Sequence, residues 1–523
     1  MDDLVGLNIE GRSSNEPTDA DIALAAGLPA AMCSLFAGTL AWLAFDTPLL
    51  PLRVVDAIFA VVPAEIVQVG VAFLGPWAKR FAFAASVGGY LLVLAFAAQL
   101  FVARVRQRGL TPSLAFGAGI WLLASLTVFP LAGGGLFGTS WKPNAWAAAG
   151  SLLGAGLVYG GSLHAILGLL QRSRRTAEWA SALASRRTFF GSIVAAGVAV
   201  VVIESIGAVA DALGWGRSDR VVGGSGVFPD IDGLSLEVTP TPDFYHVSKN
   251  VFDPDGASRN WRLEIGGLVD QPLSFTMDEL RALPAVEGFA TLACIDNPAG
   301  GDLISNALWR GVGLADLLRT AGVRDGAVDV VFTAIDDYVD SIAVERAMKP
   351  GCLLAYEMNG AALNSAHGAP LRAIVPGVFG MKNVKWITRI DVAGTDVKGY
   401  WQRRGWNDVA EYQTMSRIDV ATPGTVGQPT TVAGVAFAGD RGISSVEVSI
   451  DDGATWVAAE VRPPLSENAW VLWHASWTPQ RPGRFDVVVR ALDGAGTAQT
   501  PLVSSAYPNG VTGLHRVTVH VTA

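Results

Sequence analysis

Cys294 is the first residue of this sequence whose type and position suggest chemistry. It ends a strand-like run that begins at Phe289, and a glycine-containing loop, Asp296 to Asp302, follows it. A thiolate can act as a nucleophile or a metal ligand, and glycine lets backbone and ligand approach closely. On this position alone, however, a small buried core cysteine is favoured over a reactive thiolate.

A glycine-rich polar cluster further along the chain is the second candidate. Its segments are His367-Gly368-Ala369-Pro370-Leu371-Arg372, Pro376-Gly377-Val378-Phe379-Gly380 and Asn383-Val384-Lys385-Trp386. Arginine carries forked donors and lysine a compact charge, so both suit a phosphate-bearing ligand beside open backbone. An ion-paired surface loop explains the same residues equally well.

Taken together, these segments resemble the sulfite oxidase family of molybdopterin-dependent oxidoreductases. The resemblance runs from Phe244 to Gln499. Its pieces are Phe244-Tyr245, Thr291 to Gly301, Trp309 to Val312, Leu353 to Gly360, His367 to Trp386, Ser416 to Asp419, Val446 to Ser449 with Trp456, and Arg490 to Asp493 with Gln499. Because so many pieces occur in order, the resemblance favours Cys294 as a metal ligand.

The resemblance implies a Mo-molybdopterin cofactor with Cys294 as the one protein sulfur on molybdenum. Soft thiolate donors suit such a redox metal, and the cofactor would carry out two-electron oxygen-atom transfer. The positions that match the family's cofactor contacts are Tyr245, His246, Asp336, His367, Arg372, Asn383, Val384 through its backbone, and Lys385. Cys352 matches no family role and is interpreted as structural.

Two departures from the family pattern affect the substrate. Five residues beyond Cys294 the chain has Ala299 where animal-type enzymes have an arginine, and Trp406 stands at the position of their tyrosine. Without those donors sulfite would bind weakly unless other groups replace them. The residues that could replace those donors are Arg403, Arg404, Lys249 and His246. The predicted catalytic residues are Cys294, Arg403, Arg404 and Trp406.

The elements that position these residues divide the chain into two halves of different composition. Of the 523 residues 50% are hydrophobic and only 16% are charged, against about a quarter in an ordinary soluble domain. The first 220 residues hold 15 basic and 13 acidic side chains, whereas the remaining 303 hold 23 and 34. The globular half is therefore acidic, which argues against nucleic-acid binding.

The first half has the pattern of a transmembrane region. A span takes about 20 mostly apolar residues. The stretches that satisfy this are Ile22 to Phe45, Phe81 to Ala103, Leu110 to about Leu131 and Ala145 to about Leu170, and a fifth, Thr188 to Ala210, contains Glu204. Residues 46–80 are interrupted by prolines and charges, so we expect an interfacial or re-entrant segment, with a sixth span as the weaker alternative.

Arginine-rich loops predict the orientation. Arg104, Arg106 and Arg108 fill one loop, and five arginines between Arg172 and Arg187 fill another, so both loops should be cytoplasmic. With five spans, the tail 1–21 is cytoplasmic and the rest of the chain after the region 22–211 is extracytoplasmic. Ser185 to Phe190 also resembles an internal twin-arginine export signal, with a plain stop-transfer charge pair as the alternative. An uncut anchor is favoured over cleavage after Ala210.

After a linker at 212–232, the pattern predicts two globular domains. Residues 233–398 mix short strands and brief helices, as expected of an α+β molybdopterin domain of the sulfite oxidase type. Residues 399–523 contain closely spaced strands with turns such as Asp452-Gly453, which predicts an immunoglobulin-like β-sandwich. The family's sandwich domain commonly mediates dimerisation, so the resemblance implies a homodimer.

The sequence thus predicts a multi-pass cell-membrane protein with an extracytoplasmic molybdenum oxidoreductase that oxidises sulfite or a related compound. No haem-attachment Cys-x-x-Cys-His motif is present, so electrons should leave to a separate carrier, a cytochrome or a quinone. Two alternatives stay open. One is a sulfoxide reductase of the same fold, and the other is a noncatalytic surface-binding protein with a vestigial cofactor pocket.

Overall fold

A computed structural model describes residues 19–45, 47–62, 77–104, 109–141, 145–172, 230–250, 253–254 and 261–523. These residues form two compact units, one within residues 1–212 and one within residues 213–523.

The described part of the first unit is helical. Its helices are α1 (Asp19–Phe45), α2 (Leu50–Val61), α3 (Trp77–Arg104), α4 (Leu110–Leu126), α5 (Val128–Leu131) and α6 (Ala145–Arg172). Four stretches of the described residues are long and apolar enough to cross a membrane, namely Ile22–Trp42, Ala78–Arg104, Leu110–Leu131 and Trp146–Leu170. They coincide with the four uncharged spans expected from the sequence. The fifth expected span, Thr188 to Ala210, lies outside the described residues, as does the twin-arginine segment.

Helix α2 occupies part of the proline-interrupted segment 46–80. Its 12 residues would extend about 18 Å, which is shorter than a hydrocarbon core of about 30 Å. Pro51 falls in its first turn, where a missing backbone N–H is tolerated. The interfacial location of this segment stays a prediction, and residues 63–76 lie outside the described part of the chain.

Small residues bring the helices of the first unit close together. A Cβ added at Gly117 in α4 would overlap the carbonyl oxygen of Gly156 in α6, and one added at Gly160 would overlap the carbonyl oxygen of Ser113. Close backbone approach of this kind is typical of helix packing in membranes, where small residues replace the hydrophobic driving force.

Two sheets build the first part of the second unit. Its elements are β1 (Leu263–Gly267), β2 (Leu273–Phe275), α7 (Met277–Arg281), β3 (Ala285–Ala293), β4 (Ile304–Gly313), α8 (Leu314–Ala321), β5 (Asp329–Ala334), β6 (Val339–Ala343), α9 (Val344–Ala347), β7 (Leu353–Met358), β8 (Ala361–Ala362), β9 (Arg372–Ile374) and β10 (Ile387–Ala393). One sheet has the order β2-β1-β10-β5-β6, and the other has the order β3-β4-β7-β8 with β9 paired to β7. A shared apolar core includes Phe332 from the first sheet, Leu354 from the second and Leu317 from α8.

Local signals explain several of these elements. Thr276 and Glu279 form a reciprocal capping box at the N-terminus of helix α7. Helix α8 ends at Gly322, which has the left-handed conformation that glycine adopts without strain. The predicted strand through Phe289 is β3, which ends one residue before Cys294.

A two-sheet β-sandwich forms the last part of the unit. Its strands are β11 (Met415–Ala421), β12 (Gly424–Thr425), β13 (Thr430–Phe437), β14 (Ile443–Ser449), β15 (Val457–Ala458), β16 (Glu460–Val461), β17 (Val471–Trp477), β18 (Gly483–Asp493) and β19 (Arg516–Thr522). The sheet orders are β11-β13-β17-β16 and β12-β19-β18-β14-β15. Trp473 from the first sheet and Val487 from the second are fully buried in the core between them.

Candidate functional site

Cys294 begins a tight loop between β3 and β4. Its backbone N–H donates to the Leu303 carbonyl oxygen at 2.9 Å, and its own carbonyl oxygen accepts from Asn297 at 3.1 Å. The Asn297 side-chain oxygen in turn accepts from the Leu303 N–H at 2.9 Å. These hydrogen bonds fix both ends of the loop. The thiol of Cys294 is half-buried at a defined position.

Cys294 lies in the wall of a cleft between its own loop, the segment that leads into the sandwich and the connection between β18 and β19. Ala299 and Phe379 line one part of the cleft, and Tyr412 and Gln499 line another. No Asp, Glu, Lys, Arg or His is found among the described residues that line it.

Arg372, at the start of β9, is a buried cation held by backbone oxygens. Its guanidinium donates to the carbonyl oxygen of His367 at 3.0 Å and to that of Asn383 at 3.3 Å. It lies 5.2 Å from the ring centre of Trp309. Burial lowers the pKa of Arg372 to about 10, so it stays positively charged at neutral pH.

The Nε atom of Arg372 has no hydrogen-bond partner among the described residues, although it is buried. A buried charged donor without an acceptor is costly. We therefore expect a bound group to accept a hydrogen bond from this atom.

His367 is buried beside Arg372 in its neutral form. Its Nε2 lies 3.0 Å from the Thr241 carbonyl oxygen, which requires the proton on Nε2, and its ring packs edge-on to Phe244. The pKa of His367 is lowered to about 3, mainly because of burial. The hydrogen bond to the Thr241 carbonyl oxygen opposes this shift, and the charges of Arg372 and Lys385 contribute to it.

Asn383, Val384 and Lys385 form the neighbouring wall. The Asn383 side chain accepts from the Val375 N–H at 2.7 Å, and the Val384 carbonyl oxygen accepts from the Ala373 N–H at 2.8 Å. Lys385 donates to the Ala366 carbonyl oxygen at 3.0 Å.

Gly368 packs closely against two basic side chains at this wall. A Cβ at Gly368, where φ is +108°, would lie 3.0 Å from the Cβ atoms of both Arg372 and Lys385. A larger residue there would crowd the two basic side chains, so glycine is needed at this position.

Tyr245 connects the basic cluster with the cysteine. Its backbone N–H donates to Ser305 Oγ at 3.1 Å, and its hydroxyl lies against Gly380, where an added Cβ would approach within 2.5 Å. Burial raises the pKa of Tyr245 well above its usual value, with a further contribution from the nearby Cys294, while Arg372 opposes the rise. The same added Cβ at Gly380 would lie 3.2 Å from the Ala293 carbonyl oxygen, so the Tyr245 hydroxyl lies beside the strand end that precedes Cys294.

His246 and Asp336 lie at the edge of the cluster. His246 Nε2 is 2.7 Å from the Asp253 carboxylate, and Asp336 is 3.3 Å from Lys249 Nζ and accepts from Asn250 at 2.8 Å. Both predicted cofactor contacts therefore already have protein partners.

Comparison with known proteins then decides the family. A model of the oxidoreductase molybdopterin binding domain matches residues 249–401, and a model of the Mo-co oxidoreductase dimerisation domain matches residues 410–521. The sulfite oxidase of Arabidopsis thaliana is 30% identical over 353 residues, which cover 54% of this chain and 88% of that protein. The chain belongs to the sulfite oxidase family.

Other members of the sulfite oxidase family give similar matches. Mouse mitochondrial sulfite oxidase is 31% identical over 340 residues, covering 54% of this chain and 62% of the mouse protein. The chain thus spans less than two thirds of the length of that relative. The solved structure of the sulfane dehydrogenase SoxCD from Paracoccus pantotrophus is 23% identical with a TM-score of 0.48, covering 55% of this chain and 82% of the SoxCD chain.

Membership of the sulfite oxidase family makes Mo-molybdopterin the cofactor, and the residues present fit it. Arg372 has a buried donor without an acceptor, and both Arg372 and Lys385 pack closely against Gly368. These features suit the anionic phosphate of a pterin. Cys294, the half-buried thiol near this cluster, is the residue that would bind the metal.

Of the other catalytic candidates in this sulfite oxidase family chain, only Trp406 lies near the Cys294 loop. Trp406 packs against the cluster that contains Ala293, Phe379 and Tyr412. Its ring is edge-on to Tyr507 at 5.4 Å, and its buried Nε1 has no acceptor in the described part of the chain. Trp406 therefore keeps an unused donor close to the cysteine loop.

Arg403 and Arg404 lie in a 3-10 turn and are absent from the lining of the cleft. Arg403 is exposed and donates to the Lys398 carbonyl oxygen at 2.7 Å. Arg404 donates to the Tyr400 carbonyl oxygen at 2.6 Å and stacks 3.6 Å above the ring of the same tyrosine. Their predicted role in binding an anion stays a prediction.

Tyr412 was not predicted from the sequence. Its hydroxyl accepts the Ala293 N–H at 2.8 Å, and its ring packs against Phe379 and Phe437. Burial raises the pKa of Tyr412, which keeps its phenol protonated. It lies outside the motifs that carry the resemblance, and no local pattern around it indicates a contact with the cysteine strand.

Proposed function

We propose that this chain is a membrane-anchored molybdenum oxidoreductase that transfers one oxygen atom and two electrons to or from a small sulfur compound. The observation that supports it best is the buried Nε of Arg372, a cationic donor without an acceptor among the described residues. Tyr245 and the carbonyl oxygen of Ala293, the residue before Cys294, both lie against Gly380. Bound Mo-molybdopterin would supply the oxygen-atom transfer chemistry.

The protein residues hold and orient the reacting groups. Cys294 would bind the metal, while Arg372 and Lys385 would neutralise the cofactor phosphate. His367 stays neutral because of its burial and keeps its Nε2 proton on the Thr241 carbonyl oxygen, so it adds no charge to the cluster.

Sulfite oxidation is the first candidate reaction, by analogy with the relatives. Sulfite and water give sulfate, two protons and two electrons, and the electrons would pass to a separate cytochrome or quinone. Sulfoxide reduction is the second candidate, and the uncharged lining of the cleft favours it. It consumes two electrons and two protons and yields a sulfide and water.

Metal content tests the proposal. The full chain is produced in a host that makes molybdopterin, and molybdenum per chain is measured for the wild type, Cys294→Ala and the control Cys352→Ala. Cys352 is a matched control because it is buried in the apolar core, and burial raises the pKa of its thiol to about 11. We expect about one molybdenum per chain in the wild type and the control, and at least a tenfold loss in Cys294→Ala.

Wild-type protein without molybdenum would support the noncatalytic alternative instead. If metal is present, sulfite with artificial acceptors and sulfoxides with artificial donors distinguish the two reactions. Failure of every such assay with loaded protein would contradict both.

We further propose a cell-membrane location with the catalytic domain on the extracytoplasmic side, and a homodimer formed through an immunoglobulin-like sandwich. The four apolar helices and the match to a dimerisation domain support these proposals. A reporter enzyme that is active only outside the cytoplasm should be active when it is fused after Ala523. Light scattering of the solubilised protein should give the mass of a dimer. A cytoplasmic reporter or a monomeric mass would contradict the respective proposal.

A further inference from the structure

One ion pair of the second unit is completely removed from solvent. Lys382 Nζ lies 2.9 Å from the Asp340 carboxylate, and the two side chains are 2% and 0% exposed. Lys382 Nζ also donates to the Ser341 carbonyl oxygen at 2.8 Å, and the Ser341 N–H donates to Asp340 at 2.8 Å. Burial raises the pKa of Asp340, and the charge of Lys382 opposes the rise. A buried ion pair is often no more stabilising than apolar side chains of similar volume, so stability alone does not explain this one.

The pair joins strand β6 to the turn that precedes Asn383. Lys382 is the last residue of the 3-10 turn Gly380–Lys382, whereas Asp340 belongs to β6. Tyr338, just before β6, provides a second link. Its hydroxyl donates to the Met381 carbonyl oxygen at 2.9 Å and lies 3.0 Å from the Asp340 carboxylate. The β6 side therefore holds two successive residues of the turn.

The other side of this turn lies against the residues near the cysteine. A Cβ added at Gly380 would lie 2.5 Å from the Tyr245 hydroxyl oxygen and 3.2 Å from the Ala293 carbonyl oxygen. The Gly380 carbonyl oxygen accepts from the Asn383 N–H at 3.1 Å. A displacement of the turn would therefore move Asn383 and change the contacts of Tyr245 and of the strand end before Cys294.

Lys382 differs from the basic residues that suit a cofactor phosphate. Arg372 has a buried Nε without an acceptor, whereas the Lys382 ammonium already donates to two protein oxygens and is not exposed. Lys382 thus supplies its charge to the protein itself, in a place from which it controls the position of its neighbours.

We propose that Lys382 and Asp340 are positioning residues of the cofactor site. Their ion pair holds the turn Gly380–Lys382 against Tyr245 and the strand end before Cys294, so that Asn383 and the cysteine keep their places when the cofactor is bound. The inference rests on the proposed function, since it concerns the same site.

Metal retention by the full chain in detergent tests this inference. Asp340→Leu/Lys382→Met removes both charges together, so its melting temperature should stay close to that of the wild type. Molybdenum per chain and the visible absorption of the metal–thiolate centre are followed during dialysis against metal-free buffer. We expect the variant to lose molybdenum at least tenfold faster than the wild type, as for the loss of one or more hydrogen bonds, and its absorption band to shift.

A second ion pair provides the matched control. Arg462 Nε lies 2.9 Å from the Glu237 carboxylate, and the two side chains are only 18% and 13% exposed. Arg462→Met/Glu237→Leu should keep the wild-type rate of metal loss and the wild-type absorption. Tyr338→Phe keeps the ring but removes the second link to the turn, and should speed metal loss about tenfold at an unchanged melting temperature.

A folded Asp340→Leu/Lys382→Met variant with the wild-type rate and absorption would overturn this inference and leave the proposed function standing. Equally fast metal loss in the control variant would also overturn it, because the effect would then belong to buried ion pairs in general. If the double variant melts far below the wild type, Tyr338→Phe decides: faster loss supports the inference, and the wild-type rate overturns it. Wild type without molybdenum would overturn the proposed function and this inference with it.

Discussion

The backbone N–H of Ala293 donates a 2.8 Å hydrogen bond to the hydroxyl of Tyr412. Ala293 is the last residue of β3 and immediately precedes Cys294, whereas Tyr412 belongs to the segment that leads into the sandwich. The position of the cysteine therefore depends on a contact across the predicted domain boundary at residue 399. Residues on both sides of that boundary line the cleft at Cys294.

Arg372→Lys should cost the protein its cofactor. Lysine keeps the charge but loses the forked donors that reach the carbonyl oxygens of His367 and Asn383, and each such charged hydrogen bond contributes about 1.5–3 kcal/mol. We expect molybdenum per chain to fall at least tenfold. The melting temperature, measured by tryptophan fluorescence, should also be lower.

Arg389→Lys is the matched control for this variant. Arg389 is about half exposed and pairs with Asp391 and Glu264 at the surface, where an ion pair contributes little. The Arg389→Lys variant should therefore retain the molybdenum content of the wild type. Full metal content in Arg372→Lys would contradict the assignment of Arg372 to the cofactor.

His367 should make the stability of the second unit depend on pH. Its pKa of about 3 in the folded protein lies below the ordinary value of 6.5, so the unfolded chain binds the proton first as the pH falls. The contribution of neutral His367 to the free energy of unfolding is therefore complete above about pH 6.5. It is lost progressively as the pH falls to about 3. At 1.36 kcal/mol per pH unit, the loss between pH 6.5 and pH 5 is about 2 kcal/mol.

His367→Gln should remove this dependence. Denaturant unfolding followed by tryptophan fluorescence should give wild type and variant curves that converge as the pH falls from 7 to 5. Parallel curves over that range would show that His367 titrates in the folded protein with an ordinary pKa.

The sequence was sufficient for features that depend on local pattern. The strand-like run that begins at Phe289 was predicted from such a pattern, and Phe289 to Ala293 form the end of β3. The cofactor contacts around Arg372, which stay a prediction, were proposed from motifs that occur in order along the chain. The contact between Ala293 and Tyr412 could not be predicted, because it joins residues 119 positions apart through the tertiary fold.

The arginines after Tyr400 illustrate the same limit. Their charges predict an anion site, which stays a prediction. In the 3-10 turn Gln402–Arg404 each arginine donates to a nearby carbonyl oxygen, and the buried Nε of Arg404 has no acceptor among the described residues. A charge in the sequence does not reveal which acceptor the backbone geometry will offer it.

Trp406→Phe should reduce catalysis without reducing stability. The substitution keeps an aromatic ring against Tyr507 and Trp401 and removes a buried N–H that has no acceptor among the described residues. If a bound substrate or cofactor accepts from this N–H, kcat/KM should fall about tenfold, as expected for one lost hydrogen bond. Unchanged kcat/KM with full metal content would assign Trp406 to packing alone.

Gly160→Ala should destabilise the helical unit, whereas Gly154→Ala should not. Both glycines lie in α6, but an added Cβ at Gly160 would overlap the Ser113 carbonyl oxygen of α4, and one at Gly154 has nothing within 4 Å. Alanine is otherwise the better helix former by about 1 kcal/mol, so Gly154→Ala should be neutral or stabilising. Because the overlap at Gly160 is with backbone, α4 and α6 must move apart to relieve it. Thermal melting of the full chain in detergent should therefore be lower for Gly160→Ala only, and equal melting of the two variants would contradict the close packing of α4 on α6.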